Sequence, residues 1–120
     1  MYTYYFEKLN VWKLSKDLVK DIYSITNKFP DYEIYGIVSQ IRRAAVSVPT
    51  NISEGSARIT IKDRGHFYMI SYSSLMEVLN LIIISYEIQY ISESDYEQLR
   101  LKINEISNKI NALYRANKNG

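Results

Sequence analysis

The sequence predicts an all-α chain, one domain over residues 1–120, folded as an antiparallel up-down-up-down four-helix bundle. Three observations carry this. Apolar residues recur at steps of three and four along most of the chain, the period of one buried helical face. Two prolines and four glycines in 120 residues are few for the many turns of an all-β domain of this length. The periodic segments are joined by about three to six residues, which returns each helix as an antiparallel neighbour of the last.

The first helix is expected over 10–28, with Asn10 as N-cap and Trp12, Leu18, Val19, Ile22, Ile25 and Phe29 on its apolar face. Phe29-Pro30-Asp31 ends it, because a proline ring disfavours helical geometry in the residue before it. Asp31 then caps a second helix over 32–56, whose stripe is Ile34, Val38, Ile41, Ala45, Val48 and Ile52. Pro49 interrupts that stripe chemically but not its register. One helix, kinked near Ala45, is therefore expected, with Gly55 closing it in the left-handed conformation.

Thr60 caps a third helix over 61–90, with Asp63 placed as a short capping-box partner. Its broad face runs Phe67, Ile70, Ser71, Ser74, Leu75, Val78, Leu81, Ile82, Ser85 and Ile88. Met76, Leu79, Ile83 and Tyr86 add a second apolar face, more than a surface helix of a lone bundle carries. That excess is expected to be buried against another subunit. Ser92 or Ser94 caps a fourth helix over 93–117. There Tyr96, Leu99, Ile103, Ile106, Ile110 and Leu113 keep a strict three-four repeat and the remaining positions are polar. Residues 116–120 are expected to fray.

Composition excludes several classes of chemistry. There is no cysteine, hence no disulfide, thiolate metal site or cysteine nucleophile; this fits a reducing cytoplasm, where the chain is expected to act. No basic start followed by an apolar run marks a signal peptide. The most apolar run, residues 78–84, is far short of the ~20 residues that span a bilayer, so no membrane association is expected. His66 is the sole histidine and has no Glu-x-x-His partner, so it is expected to be solvated or hydrogen-bonded rather than a metal ligand. No histidine is placed to activate a serine, and no glycine-rich phosphate loop is present. No cofactor, metal or catalytic residue is expected, and the chain reads as a non-enzyme.

Two polar constellations remain. Glu33, Gln40, Ser47 and Glu54 recur every seven residues beside the second helix's apolar stripe, with Arg43 and Asn51 between them. One reading is structural: Arg43 pairs with Glu54, Glu77 or Glu33 across helices or subunits, and Asn51, Gln40 and Ser47 satisfy neighbouring polar groups. Such networks fix register and oligomer geometry more than they stabilise. The other reading is a ligand or catalytic cluster of Arg43, Asn51, Glu54 and Glu77, which needs a concave site. The second constellation is basic. Arg42, Arg58, Lys62 and Arg64 are the candidate phosphate contacts, against the alternative of an ordinary solvated surface. A net charge of +2 is too small for binding by bulk charge, so any nucleic-acid contact rests on local clustering. The twelve tyrosines read as the bias of an AT-rich gene rather than as a functional signal.

Several motifs resemble one family. They are Phe6-x-x-Leu9-x-Val11-Trp12, Phe29-Pro30-x-x-Glu33-x-Tyr35-Gly36, the long run from Gln40 to Gly55 containing Arg42-Arg43-Ala44-Ala45-x-Ser47-Val48-Pro49-x-Asn51-Ile52-x-Glu54, and Ser73-Ser74-Leu75-x-Glu77. Together they are similar to the four-helix-bundle family named for the 23S rRNA intervening-sequence protein. Ser73 departs from it, standing where the family often has glycine. The resemblance implies a left-handed bundle that assembles as a homopentamer and has no enzymatic activity. It also implies RNA or DNA as candidate partners. A related bundle, the accessory variability determinant protein of diversity-generating retroelements, adds a reverse transcriptase as a candidate. A protein–protein adaptor that binds no nucleic acid is the competing function.

Overall fold

The computed structural model describes residues 1–119. Four α-helices follow one another: α1 (Asn10–Thr26), α2 (Ile37–Ser56), α3 (Ile61–Glu87) and α4 (Glu93–Asn119), with short 3-10 turns at Tyr5–Lys8 and Asp31–Glu33. No strand occurs among the described residues. α1 packs on α2 and α4, and α3 packs on α2 and α4, leaving α1 and α3 on the diagonal. This is the up-down-up-down bundle that the short connections require.

The core lies where the four apolar stripes meet. Leu18 and Ile22 of α1, Ile41, Val48 and Ile52 of α2, Leu75, Val78 and Ile82 of α3, and Ile103, Ile106 and Ile110 of α4 are fully buried. Each such side chain contributes about 1.5–3 kcal/mol relative to remaining exposed. Among the described residues every buried side-chain nitrogen and oxygen has a hydrogen-bond partner. Ser15, Thr26 and Ser85 donate back to the carbonyls of Val11, Ile22 and Leu81. Ser71 Oγ reaches across from α3 to the Val48 carbonyl at 2.8 Å, beside Pro49. α2 runs on through Pro49 to Ser56.

Several helix ends differ from expectation, each for a local reason. α1 begins at Asn10 itself, with Leu9 in the cap position and no side-chain cap. α2 starts at Ile37 rather than residue 32. Asp31 lies in a 3-10 turn, and Gly36 holds a ψ of −117°, which breaks the path into the helix. α3 stops at Glu87 because Gln89 takes a left-handed φ of 67°. Around it the Tyr90 amide donates to the Ser85 carbonyl and the Gln89 amide to the Tyr86 carbonyl. That is a Schellman closure built without glycine. The expected caps at the other ends are present: Thr60 Oγ1 accepts from the Asp63 amide and Ser92 Oγ from the Asp95 amide, both at 3.1 Å. α4 stays helical to Asn119, past the expected point of fraying; Gly120 lies outside the described residues.

Gly55 does not close α2 in the left-handed region; no glycine among the described residues has a positive φ. Its role is contact. A Cβ there would lie 2.8 Å from Phe67 Cβ and 2.9 Å from the Tyr68 ring, so the missing methyl sets how closely α2 and α3 approach.

The second apolar face of α3 is partly covered within the protomer. Tyr72, Met76 and Leu79 pack against the core, Ile83 is half-buried, and Tyr86 stacks on Tyr96 of α4 at 4.1 Å. The residues left open are Met69, Ile84 and Ile88. By length and composition alone, α3 is apolar enough to cross a membrane, contrary to the expectation drawn from residues 78–84. Only 33% of that apolar window is buried within the chain, so packing on α2 and α4 does not account for all of it.

Candidate nucleic-acid interface

The four basic residues singled out in the sequence do not form one patch. Arg42 lies in the second turn of α2, about 24 Å along the helix axis from Arg58 at a rise of ~1.5 Å per residue. It straps α1 to α2: Nε donates to Thr26 Oγ1 and Nη2 to Asn27 Oδ1, both at 2.9 Å, while the guanidinium lies over the Tyr23 ring. Arg64 is also a strap. Its Nε donates to Asn117 Oδ1 at 2.8 Å, and Nη1 donates to the Arg58 and Ile59 carbonyls. The α2–α3 connection is thereby tied to the last turn of α4. Arg58 and Lys62 remain exposed. The Arg58 guanidinium rests on the Phe67 ring, 4.4 Å from its centroid, which leaves its edge free to bond.

The topology gathers further charges around these two. The starts of α1 and α3 and the ends of α2 and α4 share one end of the bundle. Arg58, Lys62, Arg115, Lys118 and Lys8 are exposed there, with Glu7, Glu54 and Asp63 among them. The opposite end carries Asp31, Glu33, Glu87, Glu93, Asp95 and Glu97, with Lys28 beside them. The near-neutral total therefore hides a separation of charge along the long axis. Among the described residues the one ion pair is Lys102 with Asp21, on the flank of the bundle. Arg58, Lys62, Arg115 and Lys118 thus have no carboxylate partner. Arg115 and Lys118 were missed in the sequence because α4 reads there as an ordinary polar tail. The contact of Gly65 with Tyr114 and the bonds of Asn117 to Arg64 and to the Ile61 carbonyl bring that tail beside α3.

The heptad row on α2 splits in two. Ser47 bonds Ser74 of α3 at 2.7 Å, and Asn51 Nδ2 donates to the Ser47 carbonyl and hydroxyl. This small network joins α2 to α3. Glu33 turns the other way and accepts the Tyr90 hydroxyl at 2.8 Å, with the Tyr32 hydroxyl 3.3 Å from Tyr90. The bonds to Tyr32 and then Glu33 hold the Tyr90 phenol well above its ordinary range. Burial raises Tyr68 as well, partly offset by its bond to Ser56. Gln40, Arg43, Glu54 and Glu77 are exposed. Arg43 reaches only Ser39, at 3.2 Å, and meets no carboxylate among the described residues.

The catalytic reading of that row does not assemble. Arg43 and Glu54 are about 16 Å apart along α2, and Glu54 borders an apolar cleft with Tyr4, Tyr5, Phe6 and Ala57. Among the described residues no three His, Cys, Asp or Glu side chains converge as metal ligands. His66 is exposed and sits edge-on to Phe67.

These features define an α-helical bundle whose charge is segregated between its two ends. The chain belongs to the family of the 23S rRNA-intervening sequence protein, whose family model matches residues 7–112. A similar solved structure is a protein of unknown function from the S23 ribosomal protein family of Bacteroides thetaiotaomicron. It is 18% identical with a TM-score of 0.78, over 87% of this chain and 97% of the other. At that identity it is a likeness of fold. No curated protein matches the sequence.

Proposed function

We propose that this protein is a non-enzymatic homo-oligomeric scaffold, pentameric and cytoplasmic, that associates with RNA. The observation that carries the RNA association is the unpaired basic end of the bundle. Phosphates bind such groups by releasing condensed counterions, so cations not already neutralised by carboxylates contribute most. The family's connection with ribosomal RNA supports RNA as the partner.

Assembly is supported by the outward edge of α2 and α3. Gln40, Glu54 and Glu77 lie there without side-chain partners among the described residues, and Arg43 meets only Ser39, alongside the exposed apolar residues Val46, Met69 and Ile84. Met69 and Arg43 are of the residue types enriched at protein interfaces, and Glu54 and Glu77 would find partners of opposite charge there, such as Arg43 of another copy. A symmetric ring also repeats the basic end on one side, so that several weak contacts act together on one RNA.

Light scattering tests the assembly: a mass about five times the 14.1 kDa chain is expected, and a monomer at micromolar concentration refutes it. Binding to a structured RNA should weaken as salt rises. Arg58→Glu with Lys62→Glu should lower the slope of log K against log salt by about 1 for each phosphate no longer neutralised. Absent or salt-independent binding removes the RNA half of the reading.

A further inference from the structure

The basic end also carries a cluster of exposed aromatic rings beside unpaired cations. Tyr2, Tyr4 and Tyr5 are 78%, 61% and 63% exposed. They are held in place. Tyr2 meets Tyr4 edge-on at 5.0 Å, Tyr4 stacks on Phe6 at 6.5 Å, and Phe6 meets Trp12 at 5.1 Å. The Tyr4 amide donates to Glu7 Oε2 at 2.8 Å, which fixes the extended segment against the turn. The segment lies along the last turn of α2, just before Arg58. Tyr5 also forms one wall of a cleft of about 360 Å³ with Ser56, Arg64, Tyr68, Leu113 and Asn117. Arg64 Nη2 makes no hydrogen bond among the described residues, while the other guanidinium nitrogens are held by protein carbonyls and Asn117.

Exposed rings gain little from water, and none of the three hydroxyls bonds within the described residues. What would cover flat aromatic faces beside unpaired cations must itself be flat and negatively charged. Unpaired nucleobases on a phosphate backbone meet both conditions. A duplex does not, because its bases are stacked and paired inside. We infer that the basic end binds single-stranded RNA, with bases stacking on Tyr2, Tyr4 and Tyr5 while Arg58, Lys62, Arg115 and Lys118 follow the phosphates. This rests on the RNA association proposed above and narrows its substrate to unpaired strands.

The test measures binding of one RNA sequence as a single strand, as a duplex and as the matching single-stranded DNA, across a salt series. The single strand is expected to bind at least tenfold tighter than the duplex. Replacing Tyr2, Tyr4 and Tyr5 together by Ala should raise Kd by about tenfold or more, given about 5- to 150-fold per stacked base. The slope against log salt should stay unchanged, because every phosphate-binding cation is retained. The corresponding Phe variants keep the ring and should bind within about threefold of the natural protein. Arg58→Glu with Lys62→Glu should do the reverse, lowering the slope. Light scattering on the Ala variant should give the natural assembly.

Equal affinity for strand and duplex, or Ala variants that bind normally, overturns the stacking while leaving RNA association intact. Failure of every RNA to bind overturns both readings. An Ala variant that changes assembly state shows that the tyrosines face another subunit, and that also overturns the proposal. Equal binding of the DNA strand supports recognition of bases and phosphates; RNA preference adds a contact to the 2′-hydroxyl.

Discussion

Replacing Gly55 by Ala isolates the closest approach between two helices. The new methyl would lie 2.8 Å from Phe67 Cβ and 2.9 Å from Tyr68 Cε1. Neither neighbour can move aside cheaply. Phe67 Cβ is fixed to the backbone of α3, and the Tyr68 ring is 2% exposed with its hydroxyl bonded to Ser56. α2 and α3 must therefore separate, an overpacking cost of about 1–3 kcal/mol. Alanine returns up to ~1 kcal/mol of helix propensity and unfolded-state entropy. The net loss is about 0–2 kcal/mol, or up to roughly 8 °C in Tm. Gly65→Ala is the matched control. Its methyl would meet the edge of the half-buried Tyr114 ring at 3.3 Å and, at an ordinary contact distance of 3.6 Å, Asn117 Nδ2. That ring can turn, so this variant should gain about 0.5 kcal/mol. Urea denaturation at one fixed protein concentration compares the three chains, because the proposed assembly would make stability concentration-dependent. If Gly55→Ala is as stable as Gly65→Ala, the close approach is not what requires glycine.

Three further outcomes follow from other contacts. Arg42→Ala removes the bonds to Thr26 and Asn27; it should cost about 1–2 kcal/mol in denaturant melts and leave RNA affinity unchanged, since Arg42 is a strap. Gln89→Gly relieves a left-handed φ at the end of α3 and should stabilise by about 0.5–1 kcal/mol in the same melts. Tyr90 keeps its proton above the ordinary phenol range in the folded chain. The stability linked to that proton is fully present below about pH 10 and is lost as pH rises through the folded value. Glu33→Gln should move the Tyr90 transition to lower pH in an ultraviolet phenolate titration, and an unchanged titration curve would disprove the assignment.

Helix identity was legible wherever burial dictates residue type. The repeat from Leu99 to Ile110 is buried as its spacing requires, and Thr60 caps α3 through its own side chain. Positions set by backbone path were not legible. Nothing local marks Gln89 as the left-handed residue, and Gly55 looks like a terminator until Phe67 and Tyr68 are seen against it. The candidate interface was the least legible part. Arg42 and Arg64 resemble free cations in sequence, but their acceptors lie 16 and 53 residues away. Arg115 and Lys118 join Arg58 only through the antiparallel return of α4. Tyr2, Tyr4 and Tyr5 were hidden among twelve tyrosines, because composition cannot separate a ring packed on α4, like Tyr86, from one left in water.

The most direct test is ultraviolet crosslinking of bound RNA followed by peptide mapping. Tyrosines stand at both ends of the bundle, with Tyr32, Tyr35 and Tyr90 at the acidic one, so either end can report. Crosslinks confined to residues 2–6, 58–64 and 114–118 are the predicted result. Crosslinks at Tyr32, Tyr35 or Tyr90, or spread evenly over both ends, would contradict the assignment of RNA to the basic end.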